Sequence, residues 1–320
     1  MRGKISSIDD RRVNRQAHAT CLVDRQDDDS YLHQAAPFVG DQFKSPNSLA
    51  CPANGAHGPI GVEPLSDVTN QGRLEEYRAV WERKPVLRTI YKHYYRRITA
   101  LTVSGRTLEI GGGSGNLKQF LPDVVSTDIL PGAWLDTMAD AQRLPFRDCA
   151  FDNIVFVDVL HHIEDPAAFF AEASRVLRDG GRIVMVEPAI TPVSYPFYKF
   201  IHQEPVLMKV DPLCSPARRE FRRDPFDSNQ AIPSLLFGRH RAAFGQRFPE
   251  FTITTRRFLS LVAYPLSGGF QRWCLIPRRA VSLLLRIEDR LEGLIGPLMG
   301  FRLLVALSYR EPQLREGRDS

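Results

Sequence analysis

Nine consecutive residues, Leu108-Glu109-Ile110-Gly111-Gly112-Gly113-Ser114-Gly115-Asn116, place a carboxylate ahead of a cluster of glycines. Glu109, Gly111, Gly113 and Gly115 set the pattern E-x-G-x-G-x-G. Glycine adopts positive φ freely and has no Cβ, so such a loop can turn sharply and bring its backbone against a ligand. It is not the dinucleotide pattern G-x-G-x-x-G, because Asn116 and Lys118 stand where a third glycine would be. Two further carboxylates follow. Asp128 closes the apolar run from Val124, where a carboxylate can accept hydrogen bonds from vicinal ribose hydroxyls. Asp140, in Asp140-Ala141-Gln142-Arg143-Leu144-Pro145-Phe146, can accept from an exocyclic amine while the Ala141 backbone reads the adjacent ring nitrogen. An N-cap at Asp128 and an ordinary capped turn at Asp140 explain the same residues, and the sequence leaves both open.

Candidates for proton transfer come later in the chain. His162 follows a fourth apolar run, and His202 and Glu204 form a His-x-Glu pair. Imidazole is the side chain best poised near neutral pH to take a proton from a reacting oxygen or carbon. A histidine capping a strand-to-helix turn, and a hydrogen-bonded surface pair, are the plain alternatives. Two residues do not make a ligand set, so no metal is expected.

The elements that must hold these groups alternate. Apolar strand candidates fall at 107–110, 124–127, 153–159 and 182–186, and helix candidates at 116–121, near Trp134, and at 166–177. The last has Asp165 as N-cap, Pro166 at its first position and Gly180-Gly181 just past its end. Alternating β and α elements predict a parallel sheet with helices on both faces, and ligands in such sheets bind at the carboxyl ends of the strands. Before this core, Tyr77, Trp81, Val86, Ile90, Tyr91, Tyr94 and Tyr95 recur at helical spacing, interrupted at Pro85, and predict two helices with an aromatic stripe. After it, residues 189–250 are rich in Pro, aromatics and Arg and read as a lid over the strand ends. Strands are expected again at 251–256 and 302–308, with an amphipathic helix at 279–294 between them.

In this order, and followed by Phe151-Asp152-Asn153-Ile154-Val155-Phe156-Val157-Asp158-Val159-Leu160-His161-His162-Ile163, these elements resemble the S-adenosylmethionine-dependent methyltransferases of the Rossmann-like class. The similarity is to the type 11 branch, which includes ubiquinone and menaquinone biosynthesis methyltransferases. The stretch from Leu177 to Pro188 is similar to that family's glycine turn and fifth strand. The resemblance covers about residues 105–190. It implies an α/β fold: a seven-stranded, mostly parallel sheet with helices on both faces, an antiparallel last strand, and a lid inserted after the fifth strand. It also implies roles. Glu109 and the backbone at Gly111, Gly113 and Gly115 would hold the methionine portion of the cofactor. Asp128 would take the ribose hydroxyls, with Ile129 on the adenine. Asp140 and Ala141 would read the adenine edge, and Val157 and Asp158 would flank the sulfonium. Enzymes acting on nucleic-acid amino groups carry Asn/Asp-Pro-Pro-Tyr/Phe at the end of the fourth strand, where this chain has Val157-Asp158-Val159-Leu160. A small, apolar or lipid-linked acceptor, methylated at oxygen or carbon, is therefore expected, and nucleic acid is disfavoured. A catalytically silent cofactor-binding protein and an RNA methyltransferase are the rival readings.

Composition sets the remaining bounds. The 320 residues, 43% hydrophobic and 25% charged, suffice for a full core. The organisation expected is a disordered extension (1–70), a helical cap (71–104), the cofactor core (105–190), a lid (191–250), the last strands with the amphipathic helix (251–312) and a disordered tail (313–320). The net charge of +5 is uneven: by count, residues 1–70 hold about 7 basic and 9 acidic side chains, residues 189–320 about 20 and 12. Such a basic third could attract an anionic acceptor, a membrane or RNA. In the late helix, Arg278, Arg279, Arg286 and Arg290 flank an apolar face, leaving peripheral contact with the inner membrane face open, though Glu288, Asp289 and Glu292 weaken that attraction. Five scattered cysteines without a C-x-x-C pair argue against a disulfide framework and suit a cytoplasmic location. No secretory signal or transmembrane span is expected. Oligomeric state is not legible.

Overall fold

The computed structural model describes residues 67–202, 204–214, 224 and 226–312. The expectations for residues 1–66 and 313–320 lie outside the described residues. Two helices, α1 (Asp67–Arg83) and α2 (Pro85–Thr99), precede the sheet, and the break between them is where Pro85 predicts it. The strands are β1 (Thr107–Ile110), β2 (Val125–Asp128), β3 (Thr137–Met138), β4 (Phe151–Val157), β5 (Leu177–Pro188), β6 (Phe251–Leu259) and β7 (Arg302–Tyr309). They form one sheet in the order β3-β2-β1-β4-β5-β7-β6. Pairing is parallel from β3 through β5, and β7 runs antiparallel to both β5 and β6. This is the Rossmann-like seven-stranded arrangement. The order reverses between β1 and β4, which puts a switch point beside the glycine loop.

Strand residues alternate between two apolar layers, as a sheet buried on both faces requires. Ile154, Phe156, Ile183, Met185, Leu303 and Val305 face one layer, which includes Phe169 and Phe170 of α3 (Pro166–Val176). Val155, Val184, Val186, Leu304 and Ala306 face the other, with the α2 stripe of Ile90, Tyr91, Tyr94 and Tyr95. Asp165 Oδ1 accepts from the amides of Ala167 and Ala168 at 2.9 and 3.0 Å, capping α3 as expected, a bond worth about 1 kcal/mol. The glycines after α3 differ from expectation. Strand β5 starts at Leu177, and Gly180, at φ +81°, bends the chain inside it.

Two predicted helices do not form. Residues 116–121 shrink to a single 3-10 turn, Leu117–Gln119. The segment around Trp134 is a turn, held because Trp134 Nε1 donates to the Gly113 carbonyl at 2.6 Å. The expected lid also divides. Its first part contains α4 (Ser194–Phe200); its second, Ile232–Ser234, a π-helical turn Leu235–Arg239 and α5 (Arg241–Arg247), is ordinary sheet cover. Phe237, Phe244 and Phe248 ring Phe170 at centroid distances of 6.4, 4.9 and 5.7 Å. Among the described residues Cys274 is a free thiol.

After α6 (Ala263–Ser267), the long α7 (Val281–Met299) lies on β6 and α2. Its acids point inward. Glu288 Oε1 accepts from the amides of Val262 and Ala263 at 2.6 Å, and Glu292 and Asp289 both reach Arg97. No helix among the described residues is long and apolar enough to cross a membrane.

Candidate active site at the strand ends

Gly111, Gly113 and Gly115 adopt φ of +63°, +49° and +73°, the left-handed region that their spacing predicts. The surroundings of the three differ. A Cβ on Gly111 would stand 2.3 Å from Val159 Cγ2, and one on Gly115 2.5 Å from Trp134 Cδ1, so these two glycines permit protein packing. A Cβ on Gly113 would meet nothing nearer than the Gly111 carbonyl at 3.8 Å. Gly113 therefore borders open space that a ligand could enter, while its own amide and carbonyl are held by Asp128 and Trp134.

Two of the predicted carboxylates border that space. Glu109, in the last half of β1, is buried and accepts from Ser126 Oγ at 2.5 Å. Burial pushes its carboxyl up to about 7, with the charge of Asp128 adding to the shift. Among the described residues no basic side chain forms an ion pair with it, and the more distant Lys118 only partly offsets the shift. Asp128, at the end of β2, accepts from the amides of Gly113 at 2.8 Å and Leu130 at 3.0 Å. Asn116 Oδ1, just past the loop, is buried without a hydrogen-bond partner. An acid short of a cation, an orphaned acceptor and a bare backbone together fit a ligand with an ammonium group and donor hydroxyls. Ile129 is half-buried beside Asp128, and Ala141 is buried. Asp140 is exposed, and its Oδ1 accepts from the Gln142 amide at 2.9 Å and Nε2 at 3.2 Å, the capped turn that the sequence left open.

Asp158, one residue past β4, stands at φ +61° and is committed to the protein. Its Oδ1 pairs with Arg302 Nη1 and its Oδ2 accepts from Tyr91 Oη at 3.0 Å. The Arg302 guanidinium in turn lies 3.8 Å from the Tyr264 ring centroid. Val157, next to it, is half-buried. The aromatic stripe of α2 thus does two things: it packs on the sheet and reaches the strand ends through Tyr91.

The histidine group assembles differently from its sequence pairing. His161, which sequence reasoning passed over, is the buried centre. Its Nδ1 meets Glu187 Oε2 at 2.8 Å and its Nε2 lies 3.4 Å from Glu204 Oε2. Burial disfavours charge on this ring, but the two carboxylates outweigh it and raise His161 to about 10. Glu187, at the end of β5, also accepts from the amides of Val159 and Leu160 at 2.7 and 2.9 Å. Glu204 accepts from Ser228 Oγ at 2.9 Å and from Gln230 Nε2, and His161 holds it well below the usual carboxylate range against the opposing effect of burial. His162 lies ring to ring with His161 at 4.2 Å, and burial, helped by that neighbour's charge, lowers it to about 4. His202 offers Nδ1 to the Glu204 amide at 3.3 Å, so the His-x-Glu pair joins through backbone rather than carboxylate. His161, His162 and Glu204 bring possible ligand atoms within 4.8 Å of one another. Glu187 could have been found: like Asp128, it is an acid closing a strand. Arg302 and Trp134 left no local signal.

Residues 91–185 match the family model of the type 11 methyltransferase domain. A ubiquinone/menaquinone biosynthesis C-methyltransferase of Saccharophagus degradans is 30% identical over 35% of this chain and 56% of its own length. A malonyl-[acyl-carrier protein] O-methyltransferase of Hahella chejuensis is 27% identical over 39% of this chain and 54% of its own. The chain spans about half the length of these curated relatives. Among solved structures, the complex of the Haloferax volcanii Trm112 methyltransferase activator with a putative methyltransferase aligns with a TM-score of 0.45 at 16% identity, covering 77% of this chain and 97% of that one. Over residues 91–185 this chain is thus similar to the methyltransferase domain family, and the curated relatives described here are methyltransferases.

Proposed function

We propose that the protein transfers a methyl group from S-adenosylmethionine to oxygen or carbon of a small acceptor, apolar or lipid-linked. The observation that carries this reading is the open space at Gly113 near a buried Glu109 that has no ion-pair partner among the described residues. Glu109, Gly111, Gly113 and Gly115 would hold the methionine end, Asp128 and Ile129 the ribose and adenine, with Asp140 and Ala141 at the adenine edge and Val157 and Asp158 behind the sulfonium. When bound, the cofactor supplies an electrophilic methyl group for in-line displacement. The protein contributes alignment and exclusion of water.

An acceptor hydroxyl or activated carbon must lose a proton. His162, neutral near pH 7 because burial depresses it, and His202 stand around Glu204 and are the candidate bases. The relatives' names support oxygen or carbon acceptors: one is a C-methyltransferase, the other an O-methyltransferase. Calorimetry with S-adenosylhomocysteine tests the berth, and labelled methyl transfer into a lipid and metabolite extract tests turnover. Binding without any labelled product would turn the reading into that of a silent cofactor-binding protein. Absence of binding would remove both. His162→Ala is expected to bind the cofactor normally and to lose turnover.

A further inference from the structure

The late helix α7 is inverted relative to an ordinary surface helix. Its acids Glu288 and Glu292 are each only 3–4% exposed, while Leu283, Ile287, Leu291, Leu294 and Leu298 are 38–80% exposed. These five follow helical spacing and form one stripe about 22 Å long at 1.5 Å per residue. Burial of the acids has a cause: Glu288 caps the backbone before α6, and Glu292 and Asp289 engage Arg97. Arg278, Arg279, Arg286 and Arg290 stay exposed, and among the described residues none has an acidic partner. Trp273 and Leu275, ahead of the helix, are 44% and 69% exposed. The acids that would weaken attraction to an anionic surface are therefore turned away from it.

We propose that this face of α7 docks on an anionic lipid bilayer, with the leucines entering the headgroup boundary and the arginines on lipid phosphates. Charge complementarity selects this occupant. A second copy packed through the same face would bring eight arginines to one seam and, with Glu288 and Glu292 buried, no acid from those positions to pair with them. A basic amphipathic surface with an aromatic at its end suits the membrane interface instead. The Val193 amide donates to the Leu298 carbonyl at 3.1 Å, so the stripe ends beside α4, after which Ile201 is also exposed. The bilayer would then meet the segment expected to cover the acceptor. The inference does not depend on methyl transfer.

The test is flotation of the full chain with phosphatidylcholine vesicles, with and without phosphatidylglycerol. Expected is binding to the anionic vesicles alone, weakened by salt. Arg286→Glu with Arg290→Glu should reduce it at least about thirtyfold, and Leu291→Ser with Leu294→Ser should abolish it. Both pairs are exposed, and unchanged melting temperature and S-adenosylhomocysteine affinity confirm intact folding. No flotation, flotation on neutral vesicles alone, or flotation untouched by either pair overturns the proposal. So does a stable dimer that the leucine pair dissociates, which would assign the face to a second copy.

Discussion

The Gly113 amide donates to Asp128 Oδ2 at 2.8 Å, joining the one loop glycine that faces open space to the carboxylate on the neighbouring strand. This bond orders the loop before any ligand arrives, and leaves Oδ1 with the Leu130 amide. Asp128→Ala should weaken S-adenosylhomocysteine binding about ten- to a hundredfold, the loss for hydrogen bonds to a charged group. Gly113→Val should abolish binding and also lower stability by about 1–2 kcal/mol, because a side chain is strained at positive φ. Calorimetry and thermal melts check the two effects separately, and normal affinity in both variants would contradict the site.

A pH dependence follows from Glu109. Burial raises its carboxyl to about 7 in the ligand-free protein, and a cationic methionine end would favour the ionised form. Binding should therefore release a proton, and affinity should rise from pH 6 to about pH 8, then level off. For folding the sign is opposite. A raised pKa contributes stability that is complete below the unfolded value and lost as pH climbs through about 7, so the ligand-free melting temperature should fall over that range. Glu109→Gln should remove both trends, measured by calorimetry in two buffers and by melting curves.

Arg302, buried, and Asp158, half-buried, form an ion pair between β7 and the end of β4. Removing one partner leaves the other charged and desolvated. Arg302→Met should destabilise the protein by about 3–5 kcal/mol in urea unfolding. Asp158→Asn added to it should restore part of that loss; a double variant as unstable as the sum of its parts would show that the two do not interact.

Lys84, at the break between α1 and α2, donates to the carbonyls of Gly269, Gln271 and Trp273 at 2.7, 2.7 and 2.8 Å. Three carbonyls converging on one ammonium tie the N-terminal helices to a loop nearly two hundred residues away. Lys84→Met should cost about 2 kcal/mol and open residues 269–273 to proteolysis. Limited digestion compared with the parent protein reads this directly.

Much of the site was legible because its parts are local. The glycine loop, the acid at the end of β2 and the capped helix at Pro166 each depend on a few neighbouring residues, and each stands where its pattern predicts. Residues 116–121 misled because their helical composition competes with a tight connection from β1 to β2, which leaves room for one 3-10 turn. Residues 231–248 misled because aromatic composition cannot distinguish a lid from sheet cover. Only Phe170 and its ring neighbours distinguish them.

By itself the sequence determined the leading strands, the capped helix at Pro166 and the glycine loop, since periodicity, positive-φ glycines and strand-end acids are properties of short segments, and its resemblance to a family supplied the cofactor. Tertiary structure alone decided the pairings across long separations: His161 with Glu187 and Glu204, Asp158 with Arg302, and the inward turn of the α7 acids. Charge on a chain has no partner until packing supplies one. For that reason the same Glu288 and Glu292 read as surface acids in the sequence and lie buried in the fold.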